Sequence, residues 1–227
     1  MLHKKFFIDA DIVLQGEGQL AGVPHLLLRT TGCNLKCPWC DTPYSSLKPE
    51  RPTMSLEDAL RILRQNPQIK NVMLTGGNPS IVKELPQICE VLSEWHITLE
   101  DNGTIYRENL KVDLVSLSPK LSNSIPEGRH RETHIKFIAN WNAYEKWITN
   151  YNYQLKFVIQ NELDILEALR IINYISADKS KVYFMPEGRT REELAQRRVW
   201  LAENCISLGV NYTDRLHIII YGDKRGV

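Results

Sequence analysis

The chain has 227 residues and a mass of 26.3 kDa, long enough to bury roughly 70–75% of its unfolded surface in one core without covalent staples. Its 28 Lys and Arg against 27 Asp and Glu leave a formal net charge of +1, which gives no electrostatic case for nucleic acid or an anionic membrane as partner. With 43% hydrophobic residues it does not read as disordered, and its longest apolar runs, Leu26-Leu27-Leu28 and Ile218-Ile219-Ile220-Tyr221, fall far below the ~18 residues of a membrane span.

From the N-terminus, Lys4-Lys5 and Phe6-Phe7-Ile8 begin like a signal peptide, but Asp9 and Asp11 interrupt the apolar run, so a soluble, cytoplasmic start is expected. Short β-branched and aliphatic runs predict strands at about 6–13, 24–30, 70–75, 97–101, 112–117, 153–160, 181–186 and 216–221. Ser55-Leu56-Glu57-Asp58 reads as a capped helix start, continued by Leu56, Ala59, Leu60 and Leu63 at helical spacing. A second helix is expected over about 80–95, after Asn78-Pro79-Ser80. Ile165, Leu169, Ile172 and Ile175 mark a third helical face, and Leu194, Leu201, Cys205 and Leu208 a fourth. The stretch from Ser118 to Trp141 shows no clear period and is expected to be a long loop or short insertion.

Strands alternating with helices imply parallel pairing through right-handed crossovers. A closed eight-fold barrel typically needs about 250 residues. The expected fold is therefore α/β: a partial, open βα barrel of about six parallel strands with an N-terminal hairpin extension, forming a single domain over 1–227.

Cys33-Asn34-Leu35-Lys36-Cys37-Pro38-Trp39-Cys40 follows the strand at 24–30, so it lies on the rim where α/β proteins build their sites. Three cysteines within eight residues suit thiolate ligands in a reducing compartment rather than a disulfide scaffold. Two chemistries are open. Zinc would need a fourth ligand, for which His130 and His134 are available about ninety residues away. A 4Fe–4S cluster held by three thiolates, with one iron left for a small molecule, needs no fourth side chain, and the spacing favours it.

Arg29 lies inside an otherwise apolar strand, where a guanidinium is costly unless it meets an anion. Glu17, brought near by a hairpin, is one possible partner; a ligand carboxylate gripped bidentately is the other. Polar clusters also end other strands: Thr75-Gly76-Gly77-Asn78, Glu100-Asp101-Asn102 and Ser118-Pro119-Lys120. All converge on the same rim. Gln160 and Met185-Pro186-Glu187 occupy equivalent positions on later strands, where loop structure alone accounts for them.

The Cys-x3-Cys-x2-Cys pattern resembles the radical S-adenosylmethionine (SAM) superfamily. With Leu14-Gln15-Gly16-Glu17-Gly18, Arg29, Cys40-Asp41-Thr42, Arg215-Leu216-His217 and the tail from Tyr221 to Val227, the chain is similar to the 7-carboxy-7-deazaguanine synthases from residue 8 onward. That resemblance implies a lyase of queuosine and 7-deazapurine biosynthesis that turns 6-carboxy-5,6,7,8-tetrahydropterin into 7-carboxy-7-deazaguanine with loss of ammonia. An adenosyl radical takes the hydrogen at C6, and no acid–base side chain is required for that step.

By the same resemblance, Cys33, Cys37 and Cys40 hold the 4Fe–4S cluster and Thr42 binds Mg²⁺. Trp39, Cys40, Asp41, Gly77, Asn78, Glu100, Ser118, Pro119 and Lys120 surround SAM. Leu14, Gln15, Gly16, Glu17, Arg29, Thr75, His217 and the terminal carboxylate of Val227 surround the substrate. Asn78 stands where many superfamily members carry Glu; its carbonyl can accept from the methionine ammonium but brings no charge. The implied partners are a flavodoxin- or ferredoxin-type electron donor and a second copy in a homodimer, with neither nucleic acid nor membrane. Two rivals remain: a glycyl-radical activase acting on a protein, and a non-catalytic zinc-stabilised binding module.

Overall fold

The computed structural model describes residues 1–226. Strand β1 (Lys5–Leu14) and strand β2 (Pro24–Thr30) form an antiparallel hairpin with Asp9 opposite Arg29. The connecting loop is closed by Gln15 N–H to Val23 O at 2.9 Å and Gly22 N–H to Gln15 O at 2.7 Å. A two-residue strand β3 (Met54–Ser55) covers the outer edge of β1.

Beyond the hairpin the sheet is parallel, through β4 (Asn71–Gly76), β5 (His96–Asp101), β6 (Leu114–Leu117), β7 (Tyr153–Ile159), β8 (Val182–Pro186) and the short β9 (Asn211–Tyr212). Among the described residues the order is β3-β1-β2-β4-β5-β6-β7-β8-β9, with β3 and β9 left as unpaired edges. This is the open, partial barrel with an N-terminal hairpin that the alternation predicts.

Period-two alternation sorts the strands into two faces. Leu26, Leu28, Val72, Leu74, Ile97, Leu99, Leu155, Phe157, Val182 and Phe184 are buried in the main core, which takes in the covering helices. The alternate residues, including Leu27, Arg29, Met73, Thr75, Lys156, Val158 and Met185, face the concave side. Helix α1 (Leu56–Gln65) starts at the Ser55–Asp58 capping box and buries Leu56, Ala59, Leu60 and Leu63 as expected. Helix α5 (Glu162–Tyr174) buries Ile165 and Ile172. Helix α6 (Arg191–Leu208) starts at a Thr190–Glu193 capping box, buries Leu194, Leu201 and Cys205, and stops at Gly209 in the left-handed region.

Three expectations are corrected. The helix expected over 80–95 is a 3-10 turn at Pro79–Ile81 followed by α2 (Leu85–Val91), because Pro86 fixes the first helical turn and cannot continue one. The stretch after Ser118 contains α3 (Arg131–Ile138), and α4 (Trp141–Asn150) follows it. The segment at 216–221 is not a strand but α7 (Leu216–Tyr221). A short apolar run does not distinguish the two by pattern; here β9 already occupies the edge of β8, and Ile218 is buried while Ile220 is exposed.

Candidate active site

One cavity of about 510 Å³ opens at the C-terminal ends of the parallel strands and runs from the cysteine loop to the β1–β2 hairpin. Of the residues expected at a site, Cys33, Cys37, Trp39, Cys40, Asp41, Thr42, Leu14, Gln15, Gly16, Glu17, Arg29, Thr75, Gly77, Glu100, Ser118, Lys120 and His217 line it. Asn78 and Pro119 do not. Val227 lies outside the described residues.

The cysteine loop is tied down on the side away from the cavity. Leu35 and Cys37 pack against Ile138, with Cys33, Cys40, Ile125 and Phe137 around them. Lys36 N–H donates to His134 Nδ1 at 3.2 Å, and His134 Nε2 lies 3.0 Å from Ser124 Oγ, whose own hydrogen goes to Leu121 O. Nε2 therefore carries the ring proton and neither nitrogen is open to a metal. Burial pushes this imidazole down to about 4, so it is neutral near pH 7. His130 is exposed and takes a bond from Arg129. Among the described residues, no three His, Cys, Asp or Glu side chains converge as ligands of one metal ion. A cuboidal cluster puts each thiolate on a different iron, so it does not require that convergence.

Donors already approach the sulfurs: Leu35 N–H reaches Cys33 Sγ at 3.4 Å, Asn102 Nδ2 lies 3.9 Å from it, and Ser46 Oγ lies 3.0 Å from Cys40 Sγ. Burial pushes the Cys37 thiol up to about 12 and raises that of Cys33, so ligand binding must displace protons. This donor set fits an iron–sulfur cluster. Trp39 is anchored by Nε1–H to Asn123 O at 2.9 Å, and the Lys120 ammonium stands 5.6 Å from its ring centroid while donating to Ser118 Oγ. Lys120 is thus a placed side chain, not a free surface charge.

Arg29 pairs with Asp9, its register partner, and not with Glu17: Nε–H donates to Asp9 Oδ2 at 2.9 Å. The antiparallel register decides this, since Glu17 lies beyond the end of β1. Among the described residues the two terminal nitrogens of Arg29 make no hydrogen bond, so the fork remains available to an anion.

Glu17 instead accepts from Lys156 Nζ at 2.9 Å and Arg215 Nε at 3.2 Å. Burial alone would raise its carboxyl, but Lys156, Arg215 and His217 outweigh that and hold it far below the ordinary carboxylate range. Glu100, expected beside SAM, accepts from Lys156 at 2.7 Å and from Gln15 Nε2 at 3.1 Å, on the hairpin side of the cavity. Arg215 also donates to Asp41 and, at 2.8 Å, to Gly188 O. Arg215 therefore ties the cysteine loop, through Asp41, to the Glu17 loop.

The glycines act mainly within the chain. A Cβ on Gly16 would lie 2.0 Å from His217 Nδ1, so its absence admits that ring; of the two glycines in this loop motif, Gly18 (φ +73°) is the one with a positive φ. A Cβ on Gly77 would lie 2.0 Å from Gly32 O, so a backbone-to-backbone crossing also requires glycine at this cavity-lining position. Asn78 is fully buried, and its Oδ1 accepts Asn102 N–H at 3.0 Å. That bond uses one of the two lone pairs of the carbonyl expected to receive the methionine ammonium.

Lys156, Arg215, Asp9, Tyr44 and Arg225 also line the cavity, and none was singled out as a site residue from sequence. Lys156, lodged between Leu155 and Phe157, carries the same lone-cation signal as Arg29. Arg225 stacks 3.9 Å from the Tyr44 ring centroid and bonds Asp9 and Glu50. Of the later-strand residues, Met185 and Glu187 line the cavity; Gln160 and Pro186 do not.

Comparison with known proteins agrees with this geometry. The profile of the radical SAM superfamily matches residues 27–148. The 7-carboxy-7-deazaguanine synthase of Rhodopirellula baltica is 36% identical over 93% of this chain and 84% of its own length. That of Halobacterium salinarum is 35% identical over 92% and 88%. The crystal structure of QueE from Escherichia coli superposes with a TM-score of 0.68 at 22% identity, covering 94% of each chain, a likeness of fold. With its three-cysteine loop on the rim of an open parallel barrel, the chain belongs to the 7-carboxy-7-deazaguanine synthase family of the radical SAM superfamily.

Proposed function

We propose that this chain converts 6-carboxy-5,6,7,8-tetrahydropterin to 7-carboxy-7-deazaguanine with loss of ammonia, as a lyase of queuosine and 7-deazapurine biosynthesis. The carrying observation is one cavity joining a three-thiol loop to an arginine whose terminal nitrogens are unbonded among the described residues. Family membership implies a 4Fe–4S cluster and SAM, for which Cys33, Cys37 and Cys40 are the three ligands. When bound, that pair would supply the one-electron chemistry.

The chain's own share is placement. Arg29 grips the substrate carboxylate through two parallel N–H bonds. Gln15, Glu17 and His217 meet the amide and amino edge of the pterin, and Thr75, which pairs with Arg29 across β2 and β4, closes the side. Trp39, Ser118 and Lys120 hold the nucleoside end of SAM. Such fixed placement of a C–H against a reacting carbon is worth several kcal/mol of barrier, on the order of 7–11.

Thr42 offers one neutral oxygen for Mg²⁺. Water and a substrate carboxylate would have to supply the remaining oxygens, in keeping with an ion that retains water. We read residues 1–227 as a single radical SAM domain acting in the cytoplasm as a homodimer, reduced by a flavodoxin- or ferredoxin-type donor. Among the described residues no helix is long and apolar enough to cross a membrane.

Anaerobic turnover tests the reading. Reconstituted protein with SAM, reductant and the carboxypterin is expected to yield a deazapurine and ammonia in equal amounts. SAM cleavage with no pterin consumed, together with radical formation on a partner protein, would overturn it in favour of an activase.

A further inference from the structure

Lys156 sits in the middle of β7, between two residues fully buried toward the helices, and on the opposite face it lines the cavity. Its side chain is only 3% exposed, and its ammonium lies 2.9 Å from Glu17 Oε2 and 2.7 Å from Glu100 Oε2. These carboxylates come from separate elements, the loop after β1 and the end of β5. Removing an ammonium and two carboxylates from water costs several kcal/mol per ion before pairing offsets it, and an apolar residue in such a place is often as stable or more so. Packing alone therefore does not call for a lysine here.

Two carboxylates on one site do not both stay ionised without a cation. Once ionised they are acceptors only; a protonated carboxyl turns one acceptor into a donor. Each Glu17 oxygen holds one cation, Oε1 that of Arg215 and Oε2 that of Lys156, and so keeps a lone pair for a ligand.

We propose that Lys156 is a positioning and specificity-determining residue, holding Glu17 and Glu100 side by side as a floor of hydrogen-bond acceptors that selects a ligand edge made of N–H donors. The proposal rests on the functional reading above, where that edge is the amide and amino side of the pterin. Besides Lys156 on β7, the charged groups facing Glu17 are Arg215 at the start of α7, His217 within α7, Asp41 on the cysteine loop, and Glu100 through the shared ammonium. His217 is held neutral to lower pH, first by burial.

The test compares wild type, Lys156→Met and Lys156→Arg as reconstituted holoenzymes, measuring kcat and KM for the carboxypterin from pH 6 to 8.5 with cluster absorbance as a control. In Lys156→Met the KM is expected to be at least tenfold above wild type at pH 6 and to fall as pH rises, because a protonated carboxyl sets an O–H donor against the N–H edge of the ligand. Cluster content stays the same, and Lys156→Arg restores the flat profile. His217 is present in all three proteins, and removing Lys156 favours its protonation, which opposes the expected shift. A Lys156→Met KM equal to wild type across the range, or a loss confined to kcat, overturns the proposal.

Should Lys156→Met not fold, Lys156→Gln keeps both carboxylates and a hydrogen-bond donor but no charge between them, and is held to the same standard. If the wild type does not turn over the carboxypterin, the functional reading fails by itself. Equilibrium binding of pterin to the same proteins then decides: a pH dependence appearing only without Lys156 supports the proposal, and identical profiles overturn it.

Discussion

Asp9 serves two arginines from distant parts of the chain. Arg29 donates to Oδ2 at 2.9 Å and Arg225 to Oδ1 at 2.6 Å. Because Arg29 spends Nε on Asp9, a lysine in its place would lose both that bond and the planar fork. Arg29→Lys is expected to raise the carboxypterin KM at least thirtyfold while cluster content and SAM binding hold; an unchanged KM would remove Arg29 from the carboxylate site. The signal for Arg29 was legible because a cation within an apolar strand demands an anion, and the same rule reads Lys156. Nothing of the kind marks Arg215 or Arg225, which stand in polar, aperiodic stretches where a charge is ordinary and only folding supplies the partners. The identity of Arg29's own partner also had to wait for the hairpin register, which sets Asp9 and not Glu17 opposite it.

At the scale of elements, the parallel strands and three of the four expected helices carry clear periods and stand where those periods put them. Helices α3 and α4 do not show as plainly. Trp141, Tyr144 and Trp147 are spaced by three, but the helix is short and flanked by Asn140 and Asn150. Its stability comes from tertiary burial of Tyr144 and Trp147, as is usual for helices of this length.

Helix α3 brings His134 beneath the cysteine loop, a contact that spacing alone reads equally well as metal ligation. Since both of its nitrogens are engaged within the chain, His134→Ala is expected to cost about 1–3 kcal/mol of stability and to leave the metal bound per chain unchanged. A loss of one zinc per chain in that variant would restore the binding-module reading. The tail past α7 is held by Arg225 on Tyr44, Asp9 and Glu50. Arg225→Ala is expected to raise KM severalfold with kcat little changed, measured in steady state; no change would mean that this clasp is idle during turnover.

Across the whole molecule, one face of the sheet is a dry core and the other carries the chemistry, so charged residues on the concave side are bound into stability as well as into the site. Glu17 is depressed, first against burial and then by Lys156 and Arg215. Its contribution is fully present above the ordinary carboxylate value of about 4.3 and is lost as pH falls through the lowered one. Lys156 is raised, burial being outweighed by Glu100 and Glu17. Its contribution is fully present below about 10.4 and is lost as pH rises through the raised value. The pair should therefore give a wide plateau. The unfolding midpoint is expected to hold from pH 5 to 9 in wild type and to become pH-dependent near neutrality in Lys156→Met; parallel curves would contradict this.

The claim on which the whole account depends is that the cavity presents one particular hydrogen of an acidic bicyclic substrate to the carbon that receives it. Carboxypterin deuterated at C6, turned over anaerobically with unlabelled SAM, measures this directly. The account predicts deuterium at the 5′ carbon of the recovered adenosyl group, with the transfer reduced in step with turnover in Arg29→Lys. Full consumption of the substrate with no deuterium reaching the adenosyl group would contradict it.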